Sequence, residues 1–407
     1  MSLNEIVIVG AGEAGGRAAL GLRAAGFAGR IALVGEETHP PYERPPLSKA
    51  AIVDAAAPTP VVIGDGGRLA ELGVERIAGV AAVAIDRRAR RLNLADGRAL
   101  PYDALVLAAG ARARPLTLPG AELALTLRTF EDSLRIRERI RAARRVAVIG
   151  GGFIGLEIAA SARSLGREVT LMEADSRLLR RSTPEPLAAA LEARHAAEGV
   201  EIVKSARIER IEPTARGLVI HTSDGAREAD VVVAGVGAAP RVELAEGAGL
   251  EVDNGVRVDG RLGTNDPAIY AIGDCANFPH PLFGGRRLRL EAWRNAFDQG
   301  AHVARALLGE SEPFAALPWF WSDQYDLTLQ IVGVAEAAAS VIARDLGGGA
   351  QMLFHLDAEG RIVAAGALGG IDKTAKEIKL AERMIARRAT PSPAALADPA
   401  ASLKKML

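Results

Sequence analysis

Two stretches of the chain pass through the same order of apolar, glycine and alanine positions. EIVIVGAGEAGGRAALGLRAAG (5–26) is followed by RIALVGEE (30–37), and RRVAVIGGGFIGLEIAASARSLG (144–166) by EVTLMEAD (168–175). A short, continuous apolar run that stops at glycine reads as a strand buried on both faces. The Ala-rich segment after it, closed by Gly26 or Gly166, reads as a helix. Each second run then ends in acids. Each stretch therefore predicts a βαβ unit of a parallel sheet, and two copies spaced from Gly10 to Gly150 predict two nucleotide-binding domains.

Between the copies, VAAVAIDR (80–87), a hairpin in RRLNLADGRALP (90–101) turning at Asp96-Gly97, and DALVLAAG (103–110) read as strands. After the second copy come EIVKSARIERIEP (201–213), GLVIHTSDG (217–225) and ADVVVAGVG (229–237). AIYAIGD (268–274) reads as a further buried strand running into a helix start. From about residue 318 the texture changes. PWFWSDQYDLTLQIVGVA has β-like alternation, SVIARDL, QMLFHLD and RIVAAGALGG continue as antiparallel strands, and a charged helix near 372–388 precedes a Pro/Ala-rich tail. This last piece reads as a separate α+β domain.

The glycine spacing carries chemistry. In Gly10-Ala-Gly12-Glu-Ala14-Gly15 the first glycine permits a tight turn, the second lets backbone amides approach a pyrophosphate, and the third lets helix and strand pack closely. The helix N-terminus adds partial positive charge. Glu36, at the end of the next strand, stands where a carboxylate accepts hydrogen bonds from a ribose. Gly150, Gly152 and Gly155 repeat the pattern, with Glu173 in the matching place. Two dinucleotides in one chain imply electrons passing between them, as from a nicotinamide to a flavin. An acid such as Glu173 favours the free 2′-hydroxyl of NADH, although Arg177, Arg180 and Arg181 follow closely and leave NADPH open.

Composition narrows the class. With 407 residues the chain suits two or three domains, and with Lys+Arg and Asp+Glu both at 50 it has no net charge to draw it to nucleic acid or an anionic membrane. One cysteine, Cys275, excludes an internal disulfide and fits a reducing compartment. The six histidines lack metal-ligand spacing, and no apolar run approaches a membrane span or a signal peptide. The expectation is a soluble, cytoplasmic protein without a metal.

Residues 41–49, PYERPPLSK, fit neither a helix interior nor a good strand. By themselves they leave open a proline-stiffened surface loop with solvated charges. Taken with GGGFIGLE (150–157), YAIGDCA (270–276), EAWRNA (291–296) and PWFWSDQ (318–324), the chain resembles the FAD-dependent, NADH-using ferredoxin reductases. These serve Rieske-type aromatic-ring dioxygenases and bacterial cytochromes P450. The resemblance spans essentially the whole chain.

That family's fold is glutathione reductase-like: α/β, with two Rossmann-like dinucleotide-binding domains and a C-terminal α+β domain. It implies an FAD domain of 1–111 plus 242–316, an NAD domain of 112–241 and a third domain of 317–407. It also implies that the strand in AIYAIGD returns to the first sheet. Lys49 is expected at the flavin N5 edge and Arg44 near the cofactor's phosphates or adenine. The prolines lower the entropy cost of holding both cations. Glu157 is expected near the nicotinamide, where pairing with Lys49 is open, as is a solvated glutamate. Asp274 after Gly273 is expected on the ribityl chain, with capping of the next helix as the alternative.

Further FAD contacts implied by the family are the backbones of Ala14 and Ala82, the Arg128 side chain, Ala109-Gly110, and Glu291-Ala292-Trp293 with Trp293 against the ring. Around NADH it implies Ile154, Arg181 and Gly237 beside the second glycine turn. Trp321 is expected at the ring edge where a cluster approaches, while Trp319 and Phe320 suit a core.

The reaction so implied is hydride transfer from NADH to FAD, followed by single electrons to a [2Fe–2S] ferredoxin. Disulfide chemistry is excluded, because the first helix carries no cysteine pair and Cys275 has no partner cysteine. An NADH oxidase or rubredoxin-type reductase remains open, as does a non-catalytic nucleotide-responsive flavoprotein like apoptosis-inducing factor. Arg286, Arg287, Arg289 and Arg294, or Lys376, Lys379, Arg383 and Arg387 on one helix face, are candidate docking patches for an acidic ferredoxin.

Overall fold

A computed structural model describes residues 3–64 and 67–407, with the Ala337 side chain left aside. The chain forms two compact units. The first comprises Met1–Arg44, Pro60–Arg112 and Ala239–Pro318, the second Pro45–Thr59, Ala113–Ala238 and Trp319–Leu407.

The first unit is built on a five-stranded parallel sheet in the order Ile269–Ala271, Ala104–Leu107, Glu5–Val9, Arg30–Gly35, Val74–Ala78. The three central strands, 104–107, 5–9 and 30–35, are rich in Val, Ile, Leu and Ala because both faces are covered, whereas the edge strand 74–78 exposes Glu75 and Arg76. The expected return of 269–271 to this sheet is observed beside 104–107. The expected hairpin is also present, pairing Arg91–Leu94 with Ala99–Pro101. The expected helix after Asp274 is not: Gly273–Cys275 is one 3-10 turn leading into the strand Ala276–His280. Gly273 sits at φ +73, outside helical space, and its N–H donates to Gln299 Oε1 at 2.7 Å instead of entering a helical ladder.

The helix Glu13–Ala24 lies against Trp293–Leu307 at a distance only small residues allow. A Cβ on Gly300 would stand 2.7 Å from the Ala14 carbonyl oxygen, and one on Gly21 would stand 3.0 Å from Ala304 Cβ.

The second unit repeats the plan with parallel strands in the order Val200–Val203, Glu168–Met172, Arg145–Ile149, Val231–Ala234, Ala124–Thr126. A five-stranded antiparallel sheet ordered 319–324, 327–333, 362–369, 350–356, 340–347, with the helix Ile371–Ala386, completes it. The C-terminal strands and helix thus fall where their patterns put them.

The proline segment is divided. Residues up to Arg44 belong to the first unit, whereas Pro45–Thr59 belongs to the second. Ile52 is fully buried in the second unit's core among Ile136, Ile140, Leu156 and Leu329. The short helix Ala50–Val53 ends in carbonyls that need donors. Arg137 supplies Ile52 O at 3.0 Å and Arg141 supplies Asp54 O at 2.7 Å.

Replacing Gly300 with valine should force the two helices of the first unit apart, lowering stability by about 1–3 kcal/mol. Urea unfolding followed by circular dichroism measures this, and an unchanged midpoint would mean that the helix contact is looser than described.

Candidate active site

Both glycine turns have the steric character their spacing predicts. Gly10 and Gly150 adopt φ +107 and +104. A Cβ there would come within 2.1 Å of Ala108 O and 2.5 Å of Gly235 O respectively. Gly15 and Gly155 leave no room either, since a Cβ on each would lie 1.9 Å from the carbonyl oxygen of its turn's first glycine. The middle glycines differ. Gly12 and Gly152 are N-caps of the following helices with no side-chain cap, and a Cβ on either would meet nothing closer than 3.8 Å. Uncapped amides facing open space at a helix N-terminus suit an anionic pyrophosphate.

Around the first turn, Arg44 Nη2 lies 3.8 Å from the Cβ position of Gly12, so the guanidinium stands over the turn. Arg44 is held by Glu37 at 2.8 Å and lies 5.2 Å from the Tyr42 ring centre, while Tyr42 donates its hydroxyl to Glu37. Ala14 and Gly273 come together, since a Cβ on Gly273 would lie 3.0 Å from Ala14 Cβ. Ala109 N lies 3.0 Å from the same point on Gly10. Trp293 opens its helix, with Ala292 as N-cap, and packs on Phe297. Glu291 is tied to Arg289 at 2.5 Å.

Glu36 accepts a forked pair from Arg241 at 2.8 and 3.0 Å, a partner the sequence did not suggest. Ala82 opens the strand Ala82–Asp86. Cys275 is fully buried, and burial pushes its thiol up to about 11, so it is no thiolate nucleophile.

Around the second turn, Glu173 is turned back onto the loop. It accepts from Gly151 N at 2.5 Å and from Asp175 N at 2.7 Å. Gly237, at φ +110, has Arg114 Cδ and Arg181 Nη2 each 3.7 Å from its Cβ position. Arg181 makes no ion pair among the described residues, whereas Arg180 is taken by Asp175. Ile154, in the first turn of the helix, is 41 % exposed, unusual for a large apolar side chain in so buried a helix. Arg128 lies in this unit, before the helix Phe130–Ala142, and its backbone N–H is held by Asp132.

The centre of the second unit is Glu157, on the buried face of the helix Phe153–Ser164 and 6 % exposed. Lys49 Nζ lies 3.3 Å from its Oε1, Ser48 Oγ donates to Oε2 at 2.5 Å, and Ser322 Oγ donates to Oε1 at 2.6 Å. Ser161, one turn on, donates to Ser48 O at 2.7 Å and so fixes the end of the proline segment on the same helix face. Lys49 also reaches Asp323 at 3.4 Å, which accepts from Trp321 Nε1 at 3.0 Å and from Thr328 at 2.9 Å. Trp321 stacks on Trp319, with ring centres 5.2 Å apart, and Phe320 packs on Phe153 instead. The expected Lys49–Glu157 pairing is therefore present, and Trp321 is linked to it through Asp323.

Burial raises the Glu157 pKa above the usual carboxylate range, and Lys49 and the two serines pull it back only in part. Ser48, Ser322, Asp323 and Gln324 were not singled out from the sequence. The available signal was the alternation in PWFWSDQ, where Ser322 and Gln324 occupy inward positions that a strand normally gives to apolar residues.

Two glycine turns whose open, uncapped amides suit a pyrophosphate, each on a parallel sheet and with no cysteine pair in the chain, have the form of a dinucleotide-dependent oxidoreductase. Residues 4–300 match the family model described as pyridine nucleotide-disulphide oxidoreductase, and 319–407 match a reductase C-terminal model. The chain belongs to the pyridine nucleotide-disulphide oxidoreductase family.

It is similar to the anthranilate 1,2-dioxygenase system ferredoxin–NAD(+) reductase component of Burkholderia cepacia, at 42% identity over all of both chains. It is also similar to the putidaredoxin reductase of Pseudomonas putida, at 37% identity over all of this chain and 98% of that protein. The solved structure of the covalent putidaredoxin reductase–putidaredoxin complex superposes with a TM-score of 0.93, at 37% identity, covering 100% of this chain and 98% of that one.

Because the folded pKa of Glu157 is raised, its contribution to stability is full below about pH 4.3 and is lost as pH climbs through the folded value. Lys49→Met removes the cation and raises that value further. The variant should lose roughly 3 kcal/mol against wild type at pH 8 and much less at pH 5. Adding Glu157→Gln should flatten the dependence. Denaturant unfolding at the two pH values checks this, and a loss independent of pH would contradict it.

Proposed function

We propose that this protein is an NADH-dependent ferredoxin reductase that holds FAD along the first glycine turn and NADH along the second. The observation that carries the reading is the Lys49–Glu157–Asp323–Trp321 cluster, which sets a cation and an aromatic ring beside the second turn. The relatives' names point the same way, since they are reductase components of dioxygenase and putidaredoxin systems. FAD, once bound, supplies the exchange between a two-electron hydride donor and a one-electron acceptor such as a [2Fe–2S] ferredoxin.

The chain's residues bind, orient and polarise. The amides after Gly12 and Gly152 neutralise pyrophosphate, and Arg44 adds charge over the first turn. Lys49 is fixed on two carboxylates, so its positive potential needs no rearrangement when negative charge develops beside it. Trp321 offers an aromatic edge to the electron acceptor. The functional division is 1–111 with 242–316 for FAD, 112–241 for NADH and 317–407 for the acceptor side. A single buried cysteine suits the reducing cytoplasm. Among the described residues no helix is long and apolar enough to cross a membrane, and no metal-ligating cluster is present.

The docking patch is chosen by what its arginines already do. Arg287 donates to Val258 O at 2.8 Å and to Asn277, and Arg289 to Glu291, Asn254 and Asp274 O, so both brace the first unit. Lys376, Lys379, Arg383 and Arg387 are exposed along the helix Ile371–Ala386 and just past its end. We assign ferredoxin steering to this helix face.

The purified protein should carry a visible flavin spectrum, release FAD on denaturation and prefer NADH to NADPH. It should reduce cytochrome c rapidly only with an added [2Fe–2S] ferredoxin. Equal rates without ferredoxin would favour an oxidase, and negligible turnover with a long-lived reduced form a nucleotide-responsive role. Lys379→Glu/Arg383→Glu should lower ferredoxin-dependent turnover about tenfold at low salt, with the gap closing as salt is added. Ferricyanide reduction should not change. Equal ferredoxin rates in variant and wild type at low salt would remove this face from consideration.

A further inference from the structure

Behind Glu157 the second unit buries a line of polar groups that no part of the proposed reaction uses. Ser322 receives the Gln324 amide nitrogen at 3.0 Å, and Gln324 Oε1 lies 2.7 Å from His195 Nε2. Tyr325 Oη lies 3.3 Å from His195 Nδ1. His195, Ser322 and Gln324 are 0, 1 and 2 % exposed, while Tyr325 is half-buried. Such groups cost free energy to bury, and an apolar strand would avoid the cost.

Their directions are determined. With the Gln324 nitrogen aimed at Ser322, its oxygen can only accept, so His195 Nε2 carries the hydrogen. Nδ1 then accepts from the Tyr325 hydroxyl. Ser322 donates onward to Glu157. Every donor in the line points toward one carboxylate, the arrangement in which successive hydrogen bonds polarise one another. Tyr325 is held at φ +58, a conformation unfavourable for a bulky residue, in the two-residue turn between strands 319–324 and 327–333. Its ring lies 5.0 Å from His195 and Arg194 stands over it at 4.9 Å.

We propose that Gln324 and His195 are positioning residues that hold Ser322 on Glu157, and thereby set the charge and placement of the Glu157–Lys49 pair from inside the protein. An amide in the middle of the line does not pass protons readily, so what travels along it is orientation and polarisation. The inference rests on the proposed function only for its kinetic readout. The charged group facing Glu157 is Lys49, with Asp323 beyond it, and those facing His195 are Arg194 and Glu198. Burial lowers the His195 pKa, so the ring stays neutral near pH 7 and keeps one donor and one acceptor.

The test is a double-mutant cycle run across pH 5–9. Wild type, Gln324→Met, His195→Phe, Glu157→Gln and the Gln324→Met/Glu157→Gln double variant are compared in two measurements. One is the rate at which NADH bleaches the bound flavin, and the other is unfolding by denaturant. Gln324→Met and His195→Phe should move the acid limb of the rate profile up by roughly half to one pH unit. The pH dependence of unfolding should shift in the same direction. Neither effect should appear on the Glu157→Gln background, where Gln324→Met should alter the rate less than twofold. His195→Gln, which keeps a donor toward Gln324, should restore the acid limb, and this separates orientation from simple packing loss.

A Gln324→Met effect that persists undiminished without the Glu157 carboxylate would overturn the proposal, as would an unmoved acid limb in a folded variant. If NADH bleaches no flavin in wild type, the functional reading fails. The unfolding cycle then decides the polar line alone, with additive effects of Gln324→Met and Glu157→Gln refuting it.

Discussion

One buried carboxylate organises the second unit. Glu157 is withdrawn from water on the inner face of its helix, where an unpaired charge would be severely penalised. Two segments distant in sequence converge to satisfy it, Ser48 and Lys49 from the proline loop and Ser322 from the first C-terminal strand, while Ser161 on its own helix holds the Ser48 carbonyl. Lys49 cannot leave without taking the paired cation from the buried Glu157, and Ser322 cannot turn without losing one of the carboxylate's donors. The prolines make this affordable, because a loop already restricted in φ loses less entropy when its end is pinned.

The two glycine turns show how one local solution is put to different uses. Their backbones are nearly superimposable in logic, with a left-handed first glycine, an open second and a crowded third. Their surroundings differ in charge. The first turn has the Arg44 guanidinium above Gly12, itself held by Glu37 and Tyr42. The second has Arg114 and Arg181 beside Gly237, and Glu173 bound back onto the loop amides. Such backbone geometry suits pyrophosphate whichever dinucleotide carries it, so any difference between the two turns lies in the side chains around them. The single cysteine fits this division. Buried, with its thiol held well above physiological pH, it takes no part in the dithiol chemistry that the family's name describes.

Much of this was legible in the linear chain. The period of apolar runs, the glycine spacing and the acid closing each second strand predicted both parallel sheets, because those patterns answer to local constraints: burial on two faces, φ above zero, and the close approach of helix to strand. The same holds for the hairpin at Asp96-Gly97 and for the C-terminal antiparallel strands. Lys49, Glu157 and Trp321 were pointed to by the resemblance to the ferredoxin reductases, through the motifs PYERPPLSK, GGGFIGLE and PWFWSDQ. What failed locally was the helix after Asp274, where Gly273 turns its amide toward Gln299, a residue 26 positions on that no local pattern connects to it.

The chain by itself thus determined which elements form and which loops must hold special backbone conformations, since both depend on residues a few positions apart. Only the tertiary structure decided that the proline loop is split between two units, that Glu36 meets Arg241, and that Ser48 and Ser322 meet on Glu157. Those pairings join residues separated by about a hundred positions or more. They follow from where the sheets and helices come to rest, and a serine or glutamine in a strand signals its partner only once that partner has been carried beside it.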